Sequence, residues 1–121
     1  MKRGSYRLFL EDMIDAIAKI ENYIDGLEYE EFSANDMIKD AVVRNLEIIG
    51  EASRNIPIKV RESHSEISWS KMIGLRNIVA HKYFGVDLEI VWKIITENLP
   101  EAKPLVEKLL EQVKEKESAE K

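Results

Sequence analysis

The sequence predicts an all-α protein, an up-and-down bundle of four to five helices. Three observations carry that expectation. Apolar residues recur at helical rather than alternating spacing along nearly the whole chain, cap and stop residues punctuate those stretches, and the links between them are short. At 121 residues the chain is one domain's worth. Residues 1–121 are therefore read as a single helical domain with one core and a charged tail from about Lys114.

The first helix is read from about Ser5 to Asp25. Its stripe is Tyr6, Leu10, Met13, Ile14, Ile17, Ile20 and Ile24, and Gly26 stops it. The string Glu28-Tyr29-Glu30-Glu31 reads as solvated loop. The second helix runs from about Asn35 to Asn55, capped by Ser33 or Asn35. Its stripe is Ile38, Ala41, Val42, Ile48, Ile49, Ala52 and Ile56, and Pro57 ends it. Lys59 to Ser68 reads as a polar loop. A third helix opens at the cap Ser68 and reaches about His81 or Tyr83, before Gly85. A fourth spans the cap Asp87 to Asn98, and a fifth starts near Pro100 or Pro104, because proline is favourable in a first helical turn.

Composition excludes several function classes. No apolar run reaches the length that crosses a bilayer, and the N-terminus lacks the small-residue cleavage site of a signal peptide. Cysteine is absent, which removes a disulfide framework and a thiol nucleophile and points to the cytoplasm. With two histidines and no HExxH, no zinc site and no cofactor are expected. Neither a phosphate-cradling glycine loop nor a GxSxG elbow is present. The net charge of −5 argues against a protein that coats nucleic acid with a basic face. RNA or a nucleotide would be handled at a small focused site, completed by a second subunit.

The informative residues are polar ones inside apolar stripes. At roughly 100° per residue, the third helix places Trp69, Met72, Ile73, Val79, Ala80 and Tyr83 on one arc, with Arg76 in its middle. A guanidinium buried without a partner is costly, so Arg76 must be paired or open to a cleft. Two roles fit it: a structural ion pair in the core, or a cation that receives a phosphate or carboxylate. Glu21 and Asn45 interrupt the other stripes in the same way, and a bundle can bring both near Arg76. Glu21 reads as a structural member of such a network; Asn45 either satisfies a neighbour or orients a substrate.

His81 follows Arg76 by five residues, about 140° round the helix, so the two are not stacked neighbours. Asn77 precedes His81 by four residues, shares its flank and can orient the imidazole. Tyr83 returns to the face of Arg76 if the helix continues. One short segment thus offers a cation, a group titrating near neutrality and a phenol. Leu75 and Ile78 extend apolar character to other sides of this helix, which places it centrally or at an interface. Gly50 and Gly74 permit close backbone approach. Together these features predict a homodimer packed around the third long helix. Arg44, Glu47, Glu51 and Arg54 point outward and read as helical salt pairs without further role.

The string Arg76-Asn77-x-x-x-His81-x-Tyr83 resembles the RxxxxHxY motif of HEPN-domain ribonuclease toxins of the HepT type. Arg44-Asn45-Leu46-Glu47-Ile48-Ile49-Gly50-Glu51-Ala52 is similar to the segment that family carries on its second helix, and Ser68-Trp69 with Gly74-Leu75-Arg76 to the lead-in to the motif. The resemblance implies a HEPN-like bundle that dimerises so that two motif segments line one cleft. It implies a toxin that is a metal-independent endoribonuclease, with Arg76 and His81 catalytic and Asn77 and Asn45 supporting. It also implies a partner, a minimal nucleotidyltransferase antitoxin of the MntA type, that adds AMP to Tyr83. The residue types suit the chemistry. An imidazole suits the proton transfers of strand cleavage by a ribose 2′-hydroxyl, and a guanidinium suits the phosphorane. The alternative is a non-catalytic helical partner, or substrate-binding subunit, of a nucleotidyltransferase. The acidic composition suits it.

Overall fold

The computed structural model describes residues 6–80 and 87–119, the side chains of 78–80 excepted. Every regular element among the described residues is helical. Helix α1 (Arg7–Ile24) forms on the first apolar stripe and buries Leu10, Met13, Ala16, Ile17 and Ile20. Helix α3 (Asp36–Arg54) forms on the second, with the Asn35 carboxamide accepting the Ile38 amide at 3.0 Å as its N-cap. Val42, Leu46 and Ile49 are each fully buried along it. Burial of such side chains is worth about 1.5–3 kcal/mol apiece, more than the differences in helix propensity along this stretch. Ser53 is also fully buried; its hydroxyl donates back to the Ile49 carbonyl at 2.7 Å.

Two short helices lie where loop is expected. Helix α2 (Tyr29–Ala34) occupies the acidic string, because Glu28 and Glu31 form a reciprocal capping box. Phe32 then drops into the core against Trp92, ring centroids 5.1 Å apart. Helix α4 (Ile58–Ser63) starts after Pro57 and has no fully buried residue, only Val60 half-buried against the core, so no apolar periodicity announces it. Helix α5 (Trp69–Ala80) follows. Ser68 stands at its N-terminus with its carbonyl accepting the Met72 amide, and the Trp69 indole donates to the His64 carbonyl at 3.0 Å.

The expected fourth and fifth helices are one. Helix α6 (Leu88–Lys93), capped by Asp87, runs through a π-helical turn at Ile94–Asn98 into α7 (Leu99–Ala119). Pro100 has no amide hydrogen to give and its ring crowds the carbonyl four residues back; a wider turn just before it relieves both problems. The Leu99 amide reaches Ile94, five residues back. Burial of Leu99, Val106, Leu109, Leu110 and Val113 then holds the helix together past Pro104. The charged tail expected from about Lys114 remains helical to Ala119, and its Glu117 accepts from Arg7 at 3.2 Å.

Buried side chains from these helices make one cluster. The long helices pack in the order α7, α1, α3, α5, with α3 between α1 and α5. Among the described residues α5, which carries the candidate site, packs mainly against one long helix, α3.

Candidate functional site

Helix α5 is seated by Trp69, Met72 and Leu75, spaced three residues apart and all buried. Leu75, which extends the apolar character of this helix beyond the Arg76 arc, is thus buried along with Trp69 and Met72. Gly50 sets how closely the two helices meet. A Cβ there would lie 2.6 Å from the Arg76 Cγ, 3.0 Å from the Arg76 amide nitrogen and 3.2 Å from the Ile73 carbonyl. Two of those three neighbours are backbone, so α5 could not stay where it is with any larger residue at 50. Gly74 differs: nothing among the described residues lies within 4 Å of its would-be Cβ, so it serves no close approach among them.

With its stem laid across Gly50, Arg76 places Nε 2.8 Å from the Glu51 Oε1. The other carboxylate oxygen of Glu51 lies 3.5 Å from Arg54 Nη2. Arg76 is therefore paired, and it is open too: its side chain is 41% exposed and that of Glu51 49%. Neither of the two roles open from sequence is a full description, because the ion pair sits at the rim of the α3–α5 seam and not in the core. Glu51 is the residue sequence reasoning missed. It reads as an outward helical charge, and it does pair with Arg54 on its own helix, but the same carboxylate also reaches α5. The signal available in sequence was its position directly after Gly50, the one glycine of the second predicted helix.

The expected network of Glu21, Asn45 and Arg76 does not form. Glu21 takes Lys103 of α7 at 2.9 Å, across the α1–α7 seam. That hydrogen bond holds the Lys103 ammonium above the ordinary lysine pKa, with burial pulling the other way. Asn45, 5% exposed, donates to the Ala41 carbonyl of its own helix at 2.9 Å. Arg76 belongs to a different seam, between α3 and α5. Asn77 is exposed on α5. His81 and Tyr83 lie outside the described residues.

Glu51 also borders a groove of about 250 Å³ along α1 and α3, lined in part by Phe9, Asp12, Arg44, Glu47 and Ile48. Three carboxylates face one guanidinium there, and Arg44 is already held by Glu47 at 3.0 Å. That balance repels phosphate. On the other side of the seam, most of the N–H donors of Arg76 lie on its two Nη nitrogens, away from the Nε that Glu51 engages. Among the described residues no group of His, Asp and Glu is arranged to hold a metal ion, and no helix is long and apolar enough to cross a membrane.

Comparison with known proteins identifies the family. Residues 13–109 match the family model described as Ribonuclease HepT-like. A Methanocaldococcus jannaschii protein named "Putative RNase MJ1380" is 43% identical over 107 residues, covering 88% of this chain and 98% of that protein. A Thermococcus cleftensis protein named "Probable ribonuclease HepT" is 43% identical over 109 residues, covering 90% and 98%. A second M. jannaschii protein, "Putative RNase MJ1216", is 39% identical over 116 residues, covering 96% of each. No solved structure matches the chain.

Proposed function

Because the chain belongs to the HepT-like ribonuclease family, we propose that it is the ribonuclease toxin of a cytoplasmic toxin–antitoxin pair. Its site is assembled from Arg76 and His81 of two copies. The observation that carries the reading is Arg76 itself: fixed at 2.8 Å by a carboxylate, half-exposed, and at the head of the RxxxxHxY string.

The reaction is a transesterification. The ribose 2′-oxygen attacks the adjacent phosphorus, forming a P–O2′ bond while the P–O5′ bond breaks. A base takes the 2′-hydroxyl proton and an acid supplies one to the departing O5′. An imidazole near neutrality can fill either role but not both at once. One HxY histidine per chain therefore favours a site shared by two chains. Arg76 places its Nη fork on the non-bridging oxygens as negative charge grows on the phosphorane. Two features of α5 support dimerisation there. Among the described residues it packs mainly against one long helix, α3, and nothing lies within 4 Å of a Cβ built at Gly74. Asn77 supports the imidazole from the preceding turn, whereas Asn45, bound to the Ala41 carbonyl of its own helix, serves α3 itself.

Control falls to Tyr83. Its phenol oxygen attacks the α-phosphorus of ATP, pyrophosphate leaves, and an AMP group with a negative phosphate remains beside the cleft. Bulk and like charge then exclude RNA. A minimal nucleotidyltransferase of the MntA type, bound as antitoxin, catalyses the transfer. Co-expression with such a partner should restore growth that the chain alone arrests, with AMP-sized mass additions mapped to Tyr83. Tyr83→Phe should arrest growth whether or not the partner is present. Additions at other residues, or rescue of Tyr83→Phe by the transferase, would sink this assignment.

A further inference from the structure

Glu51 has no part in the chemistry above, yet its placement is specific. It is the first residue after the glycine over which the Arg76 stem crosses, and its Oε1 meets Arg76 Nε at 2.8 Å. Arg54, one turn further along α3, stands 3.5 Å from its other oxygen. An arginine side chain carries several rotatable bonds, and a half-exposed one loses its orientation unless something holds it. Here the stem is confined by the α3 backbone at Gly50 and the head by Glu51. We propose that Glu51 is a positioning residue for the reaction. It occupies the Nε edge of Arg76 so that the Nη edge alone meets the scissile phosphate. The inference rests on the ribonuclease reading.

The charge of Glu51 works against its geometry, and that opposition makes the role measurable. A carboxylate beside the phosphate site weakens RNA binding through like-charge repulsion. Its removal should therefore lower KM, while the loss of a fixed guanidinium should lower kcat. A misplacement of about 1 Å in a positioned group can lower a rate on the order of 10²-fold. A carboxamide keeps an acceptor oxygen for Nε and drops the charge.

The test uses the full chain and a fluorescein-labelled, mixed-sequence single-stranded RNA. Glu51→Ala should lower kcat about 10- to 100-fold with KM unchanged or lower. Glu51→Gln should keep kcat within about threefold of wild type, with KM still lowered. In an Arg76→Ala background, Glu51→Ala should cause no further loss, because its action runs through Arg76. The Arg76 Nε–Hε resonance should be sharp and slowly exchanging in wild type and in Glu51→Gln, and broadened in Glu51→Ala.

A rise in kcat in Glu51→Ala would make the carboxylate a competitor for the guanidinium and overturn the proposal. So would an equal loss in both backgrounds, or an Nε–Hε resonance indifferent to residue 51. If the wild-type chain cuts no RNA, or Arg76→Ala cuts as well as wild type, the ribonuclease reading fails instead. The resonance then still decides whether Glu51 holds Arg76.

Discussion

Substituting His81 by alanine is expected to lower RNA cleavage by about 10²–10⁴-fold, the range over which a positioned general acid–base accelerates a reaction. The loss should appear in kcat. An imidazole moves protons in the transition state and contributes little to holding the ground-state RNA. The chain has one other histidine, His64, whose backbone carbonyl accepts from the Trp69 indole. His64→Ala therefore serves as a control and should leave cleavage unchanged. In cells, His81→Ala should abolish the growth arrest. That result separates a ribonuclease from the alternative, a helical module that presents nucleotides to a transferase without cutting RNA. If His81→Ala cleaves RNA as well as wild type, the catalytic assignment is wrong.

Arg76→Ala should lower cleavage by about 10²–10³-fold, as expected for a donor aimed at developing negative charge. Arg76→Lys should recover only part of the rate, because an ammonium cannot present the planar fork that spans two phosphate oxygens. The fold should survive either change. The pair that Arg76 makes with Glu51 joins side chains 41% and 49% exposed, and exposed pairs contribute about 0–1 kcal/mol. A melting temperature within a few degrees of wild type, together with the lost activity, is the expected combination. Activity that falls only in step with thermal unfolding would reduce Arg76 to a structural role.

The helices that bury apolar stripes were legible in the sequence, because burial is what makes them helices. Helices α1 and α3 lie where their stripes place them, with Asn35 as the cap. The elements that were not legible owe their form to something else. Helix α2 depends on two glutamates capping each other, and α4 has no fully buried residue. The joined α6–α7 helix depends on core contacts that override two prolines, through a π turn that periodicity cannot register. At the site, Arg76 stood out as a charge in an apolar arc, and Gly50 as a gap in the next helix. Their partner Glu51 did not. A carboxylate that reaches across to another helix has the same sequence signature as one that pairs along its own, and Glu51 does both. Glu21 and Asn45 broke their stripes for reasons unconnected with Arg76, one meeting Lys103 of another helix and the other a carbonyl of its own.

Internal attack of the ribose 2′-hydroxyl, with protons moved by histidine and charge met by arginine, leaves a distinctive pair of ends on the RNA. The most direct measurement is the chemistry of the new ends. Purified protein, incubated with RNA in excess EDTA, should cleave it and leave 2′,3′-cyclic phosphate on one fragment and a 5′-hydroxyl on the other. Products bearing 3′-hydroxyl and 5′-phosphate ends, or cleavage that stops when divalent cations are removed, would contradict the account.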